Sequence, residues 1–282
     1  MPRIELTAGP IEYELAGPPE GRPVVFAHGY QMGASLWTPL SERMAARGFA
    51  CVAPTWPLGA HRKPMRQDAD LTMEGIAAMV GELFDLLALE DVVLVGNDTG
   101  GAIAQIVATT RPQRLGSLVL TSCDAFERFP AGMLKPLIAA AKMGPVYTAA
   151  IQPLRTPIGR KLGFGALAHA DIDHLVSEWT KPALSDRRIR HDLRRFTASM
   201  NRRSTVTAAT GLSQFSRPTL IAWSADDAFF PLIDGQRLAD VLPDSRLEVI
   251  QQSRTFSMID QPDRLAELIA AFARPSTAAA AA

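Results

Sequence analysis

One stretch of the sequence reads Leu94-Val95-Gly96-Asn97-Asp98-Thr99-Gly100-Gly101-Ala102. An apolar run from Val92 ends in small residues and a helical pattern follows directly, which predicts a strand, a sharp turn and a helix. Asp98 lies at the apex of this turn, with Gly96 two residues before it and Gly100 two residues after it. Small neighbours let the backbone turn sharply enough to raise one side chain above the sheet. Either Asp98 is presented in this way as a reactive group, or it only caps the helix that begins near Gly100.

The composition bears on partners and location. The 282 residues include 29 Lys and Arg and 29 Asp and Glu, so the formal net charge is zero. A neutral chain is not typical of a nucleic-acid or membrane partner, and we expect a small-molecule substrate. No uncharged apolar window is long enough to cross a bilayer and the first residues have no apolar signal core, so we expect a cytoplasmic protein. The sequence leaves the oligomeric state open.

The cysteines and histidines indicate neither a disulfide framework nor a metal site. Cys51 and Cys123 each lie in or beside an apolar run, where we expect reduced core thiols. The five histidines are scattered without a His-x-x-x-His spacing, and the cysteines make no Cys-x-x-Cys. Asp98 lies where a bound phosphate would be repelled, so the glycines around it do not indicate a dinucleotide loop. We therefore expect no metal ion and no cofactor.

Strand and helix patterns alternate at both ends of the chain, which predicts a mostly parallel sheet with right-handed crossovers. The predicted strands are residues 4–6, 11–15, 23–27, 49–53, 92–95, 118–121, 219–223 and 247–250, and the predicted helices are residues 35–47, 72–89, 100–110, 232–242 and 262–272. Between about Phe126 and Pro218 the alternation stops, and we expect this insertion to lie over the strand ends as a lid. The predicted units are an α/β core (1–125 and 213–275), a helical lid (126–212) and a disordered Ala-rich tail (276–282).

The predicted lid contains a basic stretch with helical spacing, from Arg187 to Arg203. Aromatic residues do not alternate with the basic ones, and the whole chain is neutral. We therefore predict a helix with a solvated basic face rather than a nucleic-acid site.

Three motifs follow predicted strands. They are His28-Gly29 after residues 23–27, Gly96-x-Asp98-x-Gly100-Gly101 after residues 92–95, and Asp226-Asp227-Ala228-Phe229-Phe230-Pro231 after residues 219–223. In this order they resemble the oxyanion turn, the nucleophile elbow with Asp in place of Ser, and the acid-bearing loop of the α/β-hydrolase fold. The resemblance covers nearly the whole chain apart from the details of the lid. It implies a mostly parallel central sheet flanked by helices, with an inserted helical lid.

An aspartate at the elbow is similar to the haloalkane dehalogenase and epoxide hydrolase branch of this fold. In that branch the carboxylate attacks carbon to form a covalent ester, and a histidine oriented by an acid activates the water that breaks the ester. The resemblance implies that Asp98 is the nucleophile and Asp227 the acid. It also implies that the backbone amides of Tyr30 and Thr99 form the oxyanion hole. The supporting positions are His28, Gly29, Asn97 and Asp124, of which Asp124 either matches the alternative acid position of some dehalogenases or caps a helix.

The sequence departs from this branch at the histidine. The family histidine belongs to a segment similar to G-H-x-P-x-x-E-x-P after the last strand, and here the chain reads Ser253-Arg254-Thr255-Phe256-Ser257-Met258-Ile259-Asp260-Gln261-Pro262. Counting back from Pro262 puts Thr255 in the place of the histidine. The histidines that could replace the missing base lie in the oxyanion turn (His28), in a proline-rich loop (His61) and in the predicted lid (His169, His174 and His191).

Two accessory features of the branch are also missing. Thr99 stands where dehalogenases of this fold commonly have a halide-binding tryptophan, and Tyr30 stands where they often have an asparagine. Tyr147 is the only tyrosine of the predicted lid, whereas epoxide hydrolases of this fold use a pair of lid tyrosines. Both specific activities are therefore disfavoured.

Three hypotheses follow. A positioned general base contributes about 10²- to 10⁴-fold to the rate, so its loss would slow release of an ester without preventing attack by Asp98. The first hypothesis is a hydrolase that acts on a small, mainly apolar molecule with an ester, epoxide or carbon-halogen type bond, through Asp98 and a non-standard base. The second is a lyase or isomerase in which Asp98 transfers a proton. The third is a ligand-binding protein of the same fold that has lost catalysis.

Overall fold

Eight strands form one sheet in the computed structural model, which describes residues 1–273. The predicted Ala-rich tail, residues 276–282, lies outside the described residues. The strands are β1 (Arg3–Leu6), β2 (Gly9–Ala16), β3 (Pro23–Ala27), β4 (Ala50–Pro54), β5 (Val92–Asp98), β6 (Leu115–Cys123), β7 (Thr219–Ser224) and β8 (Ser245–Ile250). Their order in the sheet is β1-β2-β4-β3-β5-β6-β7-β8, in which β2 pairs antiparallel with both β1 and β4 and all other pairs are parallel. The predicted mostly parallel sheet is confirmed.

Helices connect the strands and cover the sheet. They are α1 (Thr38–Ala45), α2 (Met73–Leu86), α3 (Thr99–Thr110), α4 (Lys135–Ala141), α5 (Gly144–Ala150), α6 (Pro157–Phe164), α7 (Asp173–Ser185), α8 (Arg187–Ser199), α9 (Arg202–Leu212), α10 (Leu232–Val241), α11 (Ser257–Asp260) and α12 (Pro262–Ala273). Thr72 caps the start of α2, because its side chain accepts a hydrogen bond from the Gly75 amide. Within the described residues, no helix combines the length and the apolar character that a membrane crossing requires.

The central strands are buried on both faces. Residues Val24–Phe26 of β3 and Val92–Val95 of β5 are fully buried. Leu94 packs into the apolar cluster that includes α2 and α3, whereas its neighbour Val95 packs into the cluster with α1 and α12. A strand covered on both faces reads as a continuous apolar run, which explains the pattern in the sequence. The carboxyl ends of these parallel strands lie at one edge of the sheet and carry the predicted site residues.

The segment between β6 and β7 holds α4 to α9, and its basic stretch differs from the prediction in two respects. The basic stretch is two helices, because α8 ends at Ser199 and Asn201 caps α9 by accepting a hydrogen bond from the Arg203 amide at 2.9 Å. The prediction of one continuous basic helix is therefore wrong. In α8, Ile189 and Leu193 are buried, and Arg187 and Arg188 are exposed. Arg190, Arg194 and Arg195 are instead half-buried and donate hydrogen bonds to backbone carbonyls, so the predicted basic face is solvated only in part.

The two cysteines are free and buried, as predicted. Cys51 lies in β4 and its thiol points at the backbone carbonyl of Ser41, at 3.7 Å. Cys123 ends β6 directly before the site, and burial raises the pKa of its thiol well above the ordinary value. Both side chains serve as small core residues.

Candidate active site

The turn between β5 and α3 presents Asp98 at the edge of the sheet. Asp98 has a φ of +54° and a ψ of −133°, a conformation that costs a side-chain-bearing residue about 1–3 kcal/mol. Only glycine fits at position 100, since a Cβ there would lie 2.1 Å from the carbonyl oxygen of Ala27. The turn is thus packed against the end of β3, and this packing maintains the strained conformation of Asp98.

One oxygen of the Asp98 carboxylate is held by the two amides predicted as oxyanion donors. Oδ1 accepts hydrogen bonds from the amide of Thr99 at 2.6 Å and from the amide of Tyr30 at 3.2 Å. Gly29 allows this approach, because a Cβ there would lie 2.1 Å from Oδ1. Burial raises the pKa of Asp98, and the two amides oppose that effect. The donors therefore act on the carboxylate of Asp98 itself.

His28 supports this turn and is not available as a base. Its Nε2 accepts a hydrogen bond from the amide of Trp56 at 2.8 Å, so Nδ1 carries the proton and donates to the carbonyl of Gly29 at 3.0 Å. Burial lowers the pKa of His28 to about 4, so the ring is neutral at pH 7. With both nitrogens engaged, His28 has the scaffolding role that the resemblance implies.

A second carboxylate lies beside Asp98. Asp124 directly follows β6, and its amide donates to the backbone carbonyl of Asp98 at 3.2 Å. The Thr99 hydroxyl donates a hydrogen bond to Asp124 Oδ2 at 3.0 Å. The same hydroxyl also lowers the pKa of Asp98, so it lies beside both carboxylates. Burial and the neighbouring charge of Asp98 raise the pKa of Asp124 well above its usual range. From the sequence, Asp124 was a supporting position that either matches the alternative acid position of some dehalogenases or caps a helix.

The structure brings Asp227 and Thr255 together behind the elbow. Asp227 Oδ1 accepts hydrogen bonds from the amides of Phe229 at 2.8 Å and Phe230 at 3.0 Å. Burial raises the pKa of Asp227. The amides of Phe229 and Phe230 oppose this effect, and the nearby hydroxyl of Thr255 opposes it less strongly. Asn97 fixes the Thr255 backbone by donating to its carbonyl at 2.9 Å. Neither Asp227 Oδ2 nor Thr255 Oγ1 has a hydrogen-bond partner among the described residues.

The other histidines lie away from Asp98. His61 is buried against Asp192, with 3.3 Å between Nε2 and Oδ2, and His169 is half exposed and paired with Asp226 at 2.9 Å. The remaining two, His174 and His191, are exposed. Among the described residues, no histidine lines the cavity that contains Asp98. None of the alternative bases considered from the sequence is therefore in place.

A cavity of about 340 Å³ lies between the elbow and the helical insertion. Asp98 and Asp124 are its acidic lining residues, and most other lining residues are apolar. They include Met32, Met133, Leu134, Leu137, Ile151, Leu154, Phe164, Leu167, Phe229 and Phe230. A cavity of this size and character is typical of a small-molecule site.

Three buried hydroxyls, not anticipated from the sequence, connect the turn to the insertion. The Tyr30 hydroxyl lies 2.9 Å from that of Tyr147 in α5 and 2.7 Å from that of Thr197 in α8. The Tyr147 and Thr197 hydroxyls are 3.0 Å apart. Tyr147 thus has a tyrosine partner, but the partner comes from the oxyanion turn rather than from the predicted lid. Contacts across more than a hundred positions leave no local signal in the sequence.

Comparisons with known proteins agree with this architecture. The sequence profile described as alpha/beta hydrolase fold matches residues 22–262, and the chain belongs to this family. A 2-hydroxy-6-oxononadienedioate/2-hydroxy-6-oxononatrienedioate hydrolase of Pseudomonas putida is 28% identical over 232 residues, covering 80% of this chain and 78% of that protein. The prediction of an enzyme of the hydrolase class is confirmed at this level.

Solved structures show the same fold at low sequence identity. An alpha/beta hydrolase fold protein from Burkholderia ambifaria has a TM-score of 0.80 and 19% identity, covering 95% of this chain and 96% of that chain. The epoxide hydrolase CorEH has a TM-score of 0.75 and 16% identity, covering 96% of each chain. The predicted α/β-hydrolase fold is therefore confirmed.

Proposed function

We propose that the protein is a hydrolase that forms a covalent ester between Asp98 and a small, mainly apolar molecule, with the helical insertion as the lid of the cavity. One observation carries the proposal. Asp98 Oδ1 is held by two backbone amides, while Oδ2 accepts no hydrogen bond from the described residues and the side chain lines the cavity. A carboxylate anchored at one oxygen and free at the other is oriented for attack on carbon.

The same geometry suits both chemical steps. In the first step, Asp98 Oδ2 attacks a carbon and the bond from that carbon to the leaving group breaks. In the second step, water attacks Cγ of Asp98 and negative charge develops on Oδ1. The amides of Tyr30 and Thr99 already donate to this oxygen, so they stabilise the charge without rearrangement. Collapse of this intermediate breaks the bond between Cγ and Oδ2 and releases an alcohol.

The cavity favours neutral, apolar substrates. Its walls include Leu134, Ile151 and Leu154 of the insertion, which offer contact area but no charge. The carboxylate of Asp98 repels anions. Epoxides and alkyl halides satisfy these requirements, as do esters that are attacked at the alkyl carbon with the carboxylate as leaving group. The similarity to an epoxide hydrolase structure supports the choice of an epoxide as a first probe.

A proton-transfer reaction is the second candidate function. Burial raises the pKa of Asp98, and burial together with the charge of Asp98 raises the pKa of Asp124 well above its usual range, so both effects favour a proton held by the pair. A lyase or isomerase step would use that proton without forming a bond between Asp98 and the substrate. The two candidates therefore differ in one observable, the covalent adduct.

Intact mass spectrometry after incubation with panels of esters, epoxides and alkyl halides tests the proposal. We expect an adduct on Asp98 that forms and then decays as product is released, and no adduct in the isosteric Asp98→Asn variant. Turnover that requires Asp98 without any adduct would support the proton-transfer reaction instead. Ligand binding with neither adduct nor turnover across the panel would refute both and leave a binding protein.

A further inference from the structure

Asp124 is the one carboxylic acid other than Asp98 among the described residues that line the cavity, and the strand register explains its position. Asp98 pairs with Cys123 across the parallel strands β5 and β6, so Asp124 comes next at the same edge of the sheet. Asp227, by comparison, does not line the cavity. Of the acids near the elbow, Asp124 therefore has the best access to a substrate bound at Asp98.

The two carboxylates have matching arrangements of held and free oxygens. Asp124 Oδ2 accepts the hydrogen bond from the Thr99 hydroxyl, and Asp98 Oδ1 accepts those from the backbone amides. The other oxygens, Asp98 Oδ2 and Asp124 Oδ1, accept no hydrogen bond from the described residues. Neither oxygen is fully buried. Because both residues line the cavity, both oxygens are accessible from it.

The charges around Asp124 favour its protonated form. The negative charges of Asp98 and Asp234 both raise the pKa of Asp124. Asp234 is itself paired with Arg128 at 2.9 Å. Two neighbouring carboxylates in an apolar cavity do not readily ionise together. Since the Asp98 carboxylate also accepts two backbone amides, we assign the shared proton to Asp124 and the negative charge to Asp98.

We propose that Asp124 is the catalytic acid and base that works with Asp98 on substrates whose leaving atom is an oxygen, in place of both the absent histidine and the absent pair of lid tyrosines. This inference rests on the proposed covalent mechanism. In the first step, Asp98 Oδ2 attacks carbon, the carbon-oxygen bond breaks, and the departing oxygen takes the proton of Asp124. A strained cyclic ether such as an epoxide meets this requirement, whereas a halide leaves without a proton.

In the second step, Asp124 is a carboxylate and takes a proton from the water that attacks Cγ of Asp98. Collapse of the intermediate expels the product oxygen, which takes that proton from Asp124. Asp98 is then protonated and Asp124 ionised, and transfer of the proton from Asp98 to Asp124 restores the starting state. The net reaction adds one water to one epoxide.

Two probes with the same carbon skeleton separate these roles, namely styrene oxide and 2-phenylethyl bromide. In Asp124→Asn, we expect the bromide to alkylate Asp98 as in the parent protein and the ester to accumulate. Alkylation by styrene oxide should fall by about 10²-fold or more, as for loss of a general acid. Asp171→Asn, at an exposed aspartate, is the matched control and should behave as the parent protein with both probes.

The pH profile gives a second readout that does not depend on the fold of a variant. In the parent protein, alkylation by styrene oxide should slow as the pH rises through the pKa of Asp124, because the acid form is lost. Alkylation by the bromide should show no such alkaline decline. An Asp98 adduct with both probes, together with unchanged styrene oxide kinetics in Asp124→Asn, would refute the role of Asp124 alone. Absence of any Asp98 adduct in the parent protein would refute the covalent mechanism and the inference with it.

Discussion

The buried imidazole of His28 makes the fold sensitive to acid, and the size of the effect follows from the structure. His28 is fully buried, donates to Gly29 and accepts from Trp56, so protonation of Nε2 in the folded protein would break the second bond. In the unfolded chain the same histidine binds a proton below its ordinary pKa of 6.5, whereas burial lowers the folded value to about 4. Between these two pH values only the unfolded state gains the proton.

Stability is therefore present above pH 6.5 and is lost as the pH falls toward 4. One pKa unit corresponds to about 1.4 kcal/mol, so a pKa lowered from 6.5 to about 4 removes about 3 kcal/mol of the free energy of unfolding. Replacing the imidazole by an uncharged amide in His28→Gln removes this contribution. The variant should be less stable than the parent protein at pH 7, and the difference should shrink by about 3 kcal/mol at pH 4.

Urea unfolding at a series of pH values measures this difference. His174→Gln is the matched control, because His174 is exposed to solvent and its replacement should leave the pH dependence of the parent protein unchanged. A His28→Gln variant that loses as much stability as the parent protein between pH 7 and pH 4 would show that folding does not lower the pKa of His28. The inference that both ring nitrogens are held by the buried hydrogen bonds would then be wrong.

Three further substitutions test the elbow and its surroundings. Gly29→Ala places a Cβ 2.1 Å from Asp98 Oδ1 and should reduce the rate of adduct formation by about 10²-fold or more, whereas Gly132→Ala, where nothing lies within 4 Å, should not. Tyr147→Phe removes one hydroxyl from the buried triangle and should lower the free energy of unfolding by about 1–2 kcal/mol in urea titrations. Thr255→His in the Asp124→Asn background supplies an imidazole beside the acid of the loop and should speed release of the accumulated ester by about 10²- to 10⁴-fold in single-turnover kinetics.

Each of these expectations has a contrary outcome. Equal adduct rates in the two alanine variants would show that Oδ1 need not be held by the amides. An unchanged urea midpoint in Tyr147→Phe would show that the triangle does not stabilise the insertion on the core. Slower or unchanged ester release in the folded double variant, compared with Asp124→Asn, would show that position 255 does not correspond to that of the family histidine.

The elements with strong local signals could be predicted from the sequence. The strand of residues 23–27 is observed with the predicted bounds. An unbroken apolar run after a proline is typical of a strand that is covered on both faces. The turn at Asp98 was also predictable, since glycines at fixed spacing are required for the close approach of the backbone.

The break in the basic stretch was missed for a physical reason. The continuous spacing of arginines from Arg187 suggested one helix, but the backbone leaves the helical region at Met200, where ψ is 122°. Asn201 then starts a new helix through its side-chain cap. Asparagine before a helical pattern is a recognised start signal, so the signal was present but was outweighed by the charge pattern.

The site was predictable where it depends on single turns and not where it depends on packing between distant segments. The amides near Asp98 come from two local motifs. The contact of Asp124 with Thr99 and the hydroxyl triangle of Tyr30 depend instead on how strands and inserted helices meet, over separations of 25 to 167 positions. A single sequence therefore indicated which acid is presented at the elbow, but not which neighbour shares its proton.

The covalent ester is tested most directly by a single-turnover reaction with styrene oxide in H₂¹⁸O, with the protein in excess. If water attacks Cγ of Asp98, the peptide that contains Asp98 gains ¹⁸O and the released diol contains none. If water attacks the substrate directly, the diol carries the label and the Asp98 peptide stays unlabelled. The first result is the one that the position of Asp98 predicts, and the second would contradict it.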